Sequence, residues 1–205
     1  MKNVRPLSTL AASLVLLLGG FVQEASAQLW GSRAPNAPMR KASDMIGRQK
    51  GPTINKELEP VVNQGNSHVR ISLSKQRVYL MTGDQIYIDS PISSGKAGHS
   101  TPRGSFSVLE KDADHRSSVY GNFVDRGGRV VRAGVSTRID SAPSGTHYEG
   151  APMRWFCRLT NGGVGMHIGI LPGYAASHGC VRLPAEIAPI IYSKVRIGTR
   201  VVVES

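Results

Sequence analysis

The most informative stretch of this chain is Met166-His167-Ile168-Gly169-Ile170-Leu171-Pro172-Gly173-Tyr174-Ala175-Ala176-Ser177-His178-Gly179-Cys180-Val181-Arg182-Leu183-Pro184. It contains one of the two cysteines and two of the six histidines of the 205-residue sequence. Its centre, Ser177-His178-Gly179-Cys180, is a glycine-containing loop bounded by apolar residues. Reactive residue types concentrated in such a loop indicate a functional site on a folded domain.

Upstream of this stretch, hydrophobic alternation predicts a domain made mainly of β-strands. Val69, Ile71 and Leu73 alternate with polar residues, which is the period of two of a half-buried strand. The turn Thr82-Gly83-Asp84 between two apolar runs is typical of a hairpin. Strands are predicted at 68–74, 77–81, 85–92, 105–110, 129–135, 153–160, 164–168 and 200–203.

A single convincing helix is predicted at residues 184–195, directly after the cysteine loop. Pro184 lies near its first turn, and Pro189 inside it is expected to bend it. Its apolar face consists of Ile187, Ile190, Ile191 and Val195. The polar segment 111–144 is predicted to be a long excursion or a small subdomain. We therefore expect a mainly β fold, a sheet sandwich or distorted barrel, with one helix after the cysteine loop.

Residues 1–27 have the pattern of a secretory signal peptide. Lys2 and Arg5 precede the apolar run 7–22, and Ala25-Ser26-Ala27 is a cleavage signature. Because polar residues interrupt the run and it is shorter than the ~20 residues of a spanning helix, no stable membrane span is expected. We expect an exported protein of the periplasm or cell wall. Residues 28–66, rich in Pro and Gly, are predicted to be a poorly ordered linker, which leaves one folded domain at 67–205.

The formal net charge of +11 favours contact with a polyanion. Nucleic acid does not fit, because the export signal argues against it and an aromatic content of 6% offers few base-stacking side chains. An anionic cell-wall polymer or membrane surface fits better. A solvated positive surface without a specific partner is the alternative.

Cys180 is the predicted nucleophile of the site. A thiol with a pKa near ~8.5 is only slightly ionised at neutral pH, so it needs an imidazole or backbone N–H groups beside it. His167 is the favoured general base because it ends a strand and can reach the thiol from an adjacent one. His178 is then a structural partner, although either imidazole can serve. A turn at Gly179 allows the N–H groups of Gly179 and Cys180 to point at one oxyanion.

Three other interpretations of the loop compete with nucleophilic chemistry. His167, His178 and Cys180 are possible zinc ligands, but the paired spacing of structural zinc sites is missing from the sequence. A redox thiol lacks the second cysteine of such motifs. A loop that only packs leaves the cluster unexplained. Cys157 lies in an alternating segment and is predicted to be a small buried hydrophobe, so we expect two free thiols and no disulfide.

These residues resemble a known family, the L,D-transpeptidases of bacterial cell walls with a YkuD-type catalytic domain. The family pattern is a histidine, a spacer, then Ser/Thr-His-Gly-Cys, an aliphatic residue and Arg or Asn; here it runs from His167 to Arg182. Two upstream segments also look like family motifs, Ser94-Gly95-Lys96 and Thr101-Pro102-Arg103-Gly104-Ser105-Phe106. The resemblance covers residues 68–205. Its departures are a short spacer after His167 and the presence of Ile168.

The resemblance implies an acyltransferase that needs no metal or organic cofactor. Cys180 would attack a peptidoglycan tetrapeptide stem at the L-centre of diaminopimelate and expel D-alanine. The acyl group would pass to a second stem, to a lysine of a wall-anchored protein or to water. Candidate substrate-contacting residues are Arg182, Tyr120, His115 and Tyr174. A salt bridge for Arg182 and packing or turn roles for the others are equally open, and the rival function is a non-catalytic peptidoglycan-binding module.

Overall fold

The computed structural model of the protein describes residues 49–205. The predicted signal peptide and residues 28–48 of the predicted linker lie outside the described residues. The strands are β1 (Thr53–Ile54), β2 (Ser67–Ser72), β3 (Arg77–Thr82), β4 (Gln85–Pro91), β5 (Gly104–Ser107), β6 (Glu110–Asp112), β7 (Arg116–Asp125), β8 (Val130–Ser136), β9 (Thr146–Pro152), β10 (Phe156–Arg158), β11 (Gly165–Ile168), β12 (Val181–Leu183) and β13 (Arg200–Glu204). A 3-10 helix covers Lys56–Leu58, and one α-helix, α1, covers Ala188–Lys194. The prediction of a mainly β domain with one helix is confirmed.

A six-stranded sheet forms one layer of the domain, in the order β1-β4-β3-β2-β13-β5. Strands β2, β3 and β4 are an antiparallel meander, as their alternation and turns predict. β13 lies between β2, to which it is parallel, and β5, to which it is antiparallel. Val69 and Ile71 of β2 are completely buried, so one face of this sheet packs against the core.

A four-stranded sheet, in the order β12-β11-β10-β6, packs with α1 on the other side of the core. One hydrophobic cluster joins the two sheets and α1. Its members include Ile71, Leu80 and Ile88 from the large sheet, Met166 and Leu183 from the small one, and Ile191 from α1. The small sheet is therefore rigidly backed, and it is the sheet that carries the cysteine loop.

A third sheet has the order β8-β7-β9, and its strands β7 and β8 make up half of the polar segment 111–144 that we predicted to be a long excursion or a small subdomain. Only its inner positions, such as Phe123, Val124 and Val135, are buried. Strands β7 and β9 approach closely, since a Cβ at Gly121 would lie 2.1 Å from the Glu149 carbonyl oxygen. The segment is thus a regular sheet with mainly exposed faces.

The folded domain begins earlier than predicted. Residues 49–66, assigned to the linker, contain β1 and the 3-10 helix, and Leu58 and Val62 belong to the main hydrophobic cluster. The side chain of Gln49 also donates to the Ile92 carbonyl at 3.0 Å. Two buried side chains in a polar stretch are too few to produce a recognisable period, so periodicity does not reveal this order.

The helix is shorter than predicted. α1 begins at Ala188, and the preceding residues 185–187 form a turn that follows Pro184. Pro189 therefore lies in the first turn of α1, where a missing N–H breaks no helical hydrogen bond. The expectation that Pro189 bends the helix is wrong, because this proline lies in the first turn.

Candidate active site

Strands β11 and β12 place His167 and Cys180 on the same face of the small sheet. The strands are parallel, with Met166 opposite Val181 and His167 opposite Arg182. Cys180 immediately precedes β12 and lies level with Gly165 at the start of β11. The loop 169–180 returns the chain to this end of the sheet, as a parallel pair requires. The histidine and the cysteine thus come from adjacent elements of a rigid sheet.

The two upstream motifs hold the cysteine loop in place. The Ser94 carbonyl accepts from the Ser177 N–H at 3.0 Å. Thr101 is buried, and its Oγ1 accepts from the Gly95 N–H at 2.9 Å while it donates to the Gly179 carbonyl at 2.7 Å. The segments 93–95 and 101–104 are distant from the cysteine loop in sequence. These hydrogen bonds therefore hold the loop in place, which explains the residue types found in the two segments.

Gly179 has φ +118°, a conformation that side chains rarely adopt. Its N–H donates to Ser177 Oγ at 3.0 Å, and that hydroxyl donates to the Cys180 carbonyl at 2.5 Å. This corrects the expectation that the Gly179 N–H is free to hold an oxyanion. The Cys180 N–H has no hydrogen-bond partner within residues 49–205, so it is the backbone donor that remains available beside the thiol.

The tautomer of His167 is set by the backbone. The ring is 8% exposed, and Nδ1 lies 2.6 Å from the Ile168 carbonyl oxygen. Because a carbonyl can only accept, Nδ1 carries the proton and Nε2 of the neutral ring keeps a free lone pair. Burial, aided by the charges of Arg182 and His115, lowers the pKa of His167 from 6.5 to about 4, against the effect of the Ile168 carbonyl. At neutral pH the ring can accept a proton at Nε2.

Cys180 is a protonated thiol in the free protein at neutral pH. Burial raises the pKa of this thiol, and the Gly165 N–H and the guanidinium groups of Arg182 and Arg158 oppose that effect. Its Sγ lies 3.7 Å from the Gly163 carbonyl oxygen, which accepts the thiol proton. Nucleophilic attack by this sulfur therefore requires a base to remove the proton.

Both cysteines are free, as predicted. Cys157 is 1% exposed and lies in β10 opposite Met166. Burial raises the pKa of Cys157 to about 12. The thiol is therefore a core group, and the expectation that Cys157 behaves as a small hydrophobe is confirmed.

A cleft of about 940 Å³ lies over Cys180, between the small sheet and the third sheet. His167, Cys180 and the turn 161–164 line one side, and residues 117–120 and 151–152 of β7 and β9 line the other. This volume is at the upper end of the range for small-molecule sites. The cleft can therefore accommodate a peptide segment with the thiol inside it.

Three of the four predicted substrate-contacting residues line the cleft, namely His115, Tyr120 and Arg182. Tyr174 does not, and its side chain is 53% exposed. Only its carbonyl is engaged, as the acceptor of a 2.7 Å hydrogen bond from Ser93 Oγ. The assignment of Tyr174 to the cleft is wrong, because the loop attaches its backbone to Ser93 and leaves the ring in solvent.

His178 joins the cysteine loop to the third sheet. Its ring stacks on Tyr120 with centroids 4.6 Å apart and meets His99 edge-on at 4.8 Å. Burial, then the charges of Lys96 and His99, lowers the pKa of His178. These contacts favour a packing role for His178.

The residues proposed as alternative zinc ligands do not form a ligand cluster. Within residues 49–205, the group whose ligand atoms lie within 4.8 Å of one another consists of Glu110, Asp112 and His115. All three already have partners: Glu110 pairs with Arg158, and Asp112 Oδ2 lies 3.1 Å from His115 Nδ1. The site chemistry at Cys180 is thus the chemistry of a thiol and an imidazole.

Arg182 has no carboxylate partner within the described part of the chain. Its stem occupies the space beside Gly169, where a Cβ would lie 2.6 Å from Arg182 Cγ. Its Nη1 lies 3.4 Å from the Ile170 carbonyl oxygen. Arg182 therefore forms no salt bridge with the described residues, and its charge remains available to the cleft.

Two cleft arginines were missed by sequence reasoning, Arg138 and Arg158. Arg158 lies in β10, and its Nε is 2.5 Å from Glu110 Oε2. Arg138 is exposed in the turn after β8. No local pattern identifies either residue, because their position depends on the third sheet folding over the cysteine loop.

The buried neutral His167 predicts a loss of stability in mild acid. In the unfolded chain this imidazole binds a proton near pH 6.5, and in the folded domain only near pH 4. Between these values the unfolded state binds more protons, so the free energy of unfolding falls as the pH drops, by about 3 kcal/mol over the whole window. Urea denaturation at a series of pH values measures this slope.

A His167→Gln variant should lose this part of the slope. His147→Gln, which changes an exposed histidine of β9 away from the cleft, should keep it. Equal slopes in the wild type and the His167→Gln variant would contradict a depressed pKa at this position.

The described residues contain no helix with the length and hydrophobicity needed to span a bilayer. They form a mainly β domain. Its cleft is lined by a cysteine and a largely buried histidine that come from adjacent elements. The model of the YkuD L,D-transpeptidase catalytic domain matches residues 66–203, more than half of the chain. The chain belongs to this family of L,D-transpeptidase catalytic domains.

Solved structures of L,D-transpeptidases share the fold. One from Mycobacterium smegmatis is 20% identical with a TM-score of 0.51, and the match covers 68% of this chain and 59% of that one. One from Stackebrandtia nassauensis is 16% identical with a TM-score of 0.50, covering 80% and 64%. L,D-transpeptidase 3 from Mycobacterium tuberculosis, in complex with a faropenem-derived adduct, is 21% identical with a TM-score of 0.51, covering 68% and 60%. This chain thus matches less than two thirds of each relative's length. No curated protein matches the sequence significantly.

Proposed function

We propose that the protein is an exported cysteine L,D-transpeptidase that acts on peptidoglycan tetrapeptide stems through an acyl-enzyme at Cys180. The observation that carries this proposal is the state of His167, whose Nδ1 is held by the Ile168 carbonyl and whose Nε2 is free. It lines the same cleft as the thiol. Family membership supports the substrate class. The signal-like residues 1–27 support action in the periplasm or cell wall.

In the first half-reaction, Cys180 Sγ bonds to the carbonyl carbon at the L-centre of diaminopimelate. The thiol proton passes to Nε2 of His167 during the attack, because the thiol is not ionised in the free enzyme. The Gly165 N–H, Arg158 and Arg182 favour the negative charge that develops on sulfur. The Cys180 N–H is the donor available to the oxyanion.

The same imidazole completes the first half-reaction and then serves the second. Protonated His167 gives its proton to the amine of D-alanine as the carbon–nitrogen bond breaks, leaving a thioester on Cys180. An amine of a second stem, a lysine of a wall-anchored protein or water then attacks the thioester. His167 accepts the proton of the attacking group and returns it to the sulfur, so no cofactor is needed.

The proposal is tested by incubating the purified protein with a tetrapeptide stem and an acceptor stem. We expect release of D-alanine and a cross-linked product, both detected by mass spectrometry. We also expect faropenem to add one covalent adduct at Cys180, since faropenem gave an adduct in the Mycobacterium tuberculosis relative. A folded protein that binds the stem but releases no D-alanine and forms no adduct would establish the rival function, a peptidoglycan-binding module.

A further inference from the structure

The charged side chains that line the cleft are all cationic. Arg138, Arg158 and Arg182 line it, and no aspartate or glutamate of the described residues does. A concave surface with charge of one sign favours a ligand of the opposite sign. The cleft is therefore suited to a substrate segment that carries carboxylates.

Two of these arginines have their charge uncompensated. Arg158 pairs with Glu110, whereas Arg138 and Arg182 pair with no carboxylate within residues 49–205. In the third sheet and its turns, three arginines are paired, whereas Arg126 and Arg138 pair with no carboxylate of the described residues. The ion pairs of that sheet are Arg116–Glu149, Arg129–Asp125 and Arg132–Asp140. Arg138 is the arginine of that sheet that lines the cleft.

We propose that Arg138 is a substrate-binding residue that recognises a free carboxylate of the stem peptide and makes the enzyme prefer carboxylate stems to amidated ones. The inference rests on the proposed function. Arg138 approaches from the third sheet and Arg182 from β12. A peptide held between them meets a guanidinium on each side.

The preference follows from the hydrogen-bonding properties of the two groups. A carboxylate accepts two parallel hydrogen bonds from one guanidinium, whereas a carboxamide has one acceptor oxygen and a donor NH₂ that opposes the arginine donors. The exposed Arg138 contributes little while water surrounds it, and more when peptide fills the cleft and excludes water. We expect a preference of about tenfold in kcat/KM, the lower range for a hydrogen bond between charged groups.

The test compares tetrapeptide stems that carry free side carboxylates with stems in which each of these carboxylates in turn is amidated. D-alanine release is measured for the wild type, Arg138→Gln, Arg138→Lys and Arg126→Gln. The Arg126→Gln variant is the matched control, because Arg126 is exposed on the same sheet, does not line the cleft and carries the same charge. Thermal melts check that every variant is folded.

We expect the wild type and Arg126→Gln to prefer the free-carboxylate stem about tenfold over one of the amidated stems. Arg138→Gln should lose that preference through a slower reaction of the free stem, and Arg138→Lys should recover part of it. The amidated stem that shows the difference identifies the carboxylate. Equal use of all stems by the wild type, or a preference that survives in Arg138→Gln, overturns the inference while leaving the proposed function intact. Failure of every stem to release D-alanine overturns the proposed function and, with it, this inference.

Discussion

Replacing Cys180 with alanine is expected to lower kcat for D-alanine release by a factor of about 10⁴ or more, to the background of the assay. The thiol is the group that forms the proposed acyl-enzyme, and it is the only thiol among the described cleft-lining residues. The variant should also fail to form the faropenem adduct in an intact-mass measurement. Because the side chain becomes smaller, the loop framed by Thr101 should keep its hydrogen bonds.

The matched control is Cys157→Ala, the same chemical change at the buried cysteine. It creates a small cavity in the core and should reduce the free energy of unfolding by about 1 kcal/mol, with kcat unchanged for the folded protein. Turnover that survives in Cys180→Ala but disappears in folded Cys157→Ala would contradict the assignment of Cys180 as the nucleophile. Unfolding curves of both variants separate lost chemistry from lost structure.

Replacing His167 with glutamine is expected to lower kcat by a factor of about 10² to 10⁴, the usual contribution of a general acid–base residue. Glutamine fills similar space but cannot accept the thiol proton or return it to the leaving amine. The rate of thioester formation, followed by mass spectrometry in a single turnover, should fall by the same factor. Substrate binding should change much less.

The comparison variant is His178→Gln, since the sequence left both imidazoles as possible bases. This change weakens the contacts of His178 with Tyr120 and His99, so we expect a loss of about tenfold or less, corresponding to ring-packing energies near 1 kcal/mol. A larger loss in folded His178→Gln than in folded His167→Gln would reverse the two roles.

The large sheet was predictable because its strands have one face in a continuous core. Val69 and Ile71 are both fully buried, and their alternation with polar residues reflects a strand with one buried and one more exposed face. Cys157 was predictable for the same reason. By contrast, Leu58 and Val62 are buried from short irregular elements, where side-chain burial has no fixed period for a sequence to display.

Of the third sheet, the sequence predicted the strand at 129–135, which corresponds to β8. Strands β7 and β9 and their pairing with β8, and with them one side of the cleft, could not be predicted because most positions of the sheet face water. In β8, five successive positions from Val130 to Gly134 are exposed, so apolar and polar residues do not alternate. The positions of Tyr120 and Arg138 relative to the thiol depend on this sheet. The sequence could nominate Tyr120 as a loop residue, but the sheet that presents it is a product of long-range pairing.

The order of the reactive residues could be read from the sequence, but their hydrogen bonds could not be predicted from it. The Gly179 N–H was expected to serve an oxyanion, and the Ser177 hydroxyl takes it instead. Such a contact depends on the backbone angles of the loop, which distant segments at Ser94 and Thr101 determine. Motif spacing identifies which groups are near one another, and tertiary contacts decide which of them are still free.

Strand β13 occupies the interior of the large sheet although it lies far along the chain from its neighbours β2 and β5. In this sheet β5 pairs with β13 and with no other described strand. During synthesis the amino-terminal hairpins can form first, but the sheet stays open until residues 200–204 are available. Pairings of such long sequence separation also form slowly. Under the proposed export of an unfolded chain, this order would delay the stable state until residues 200–204 have crossed the membrane.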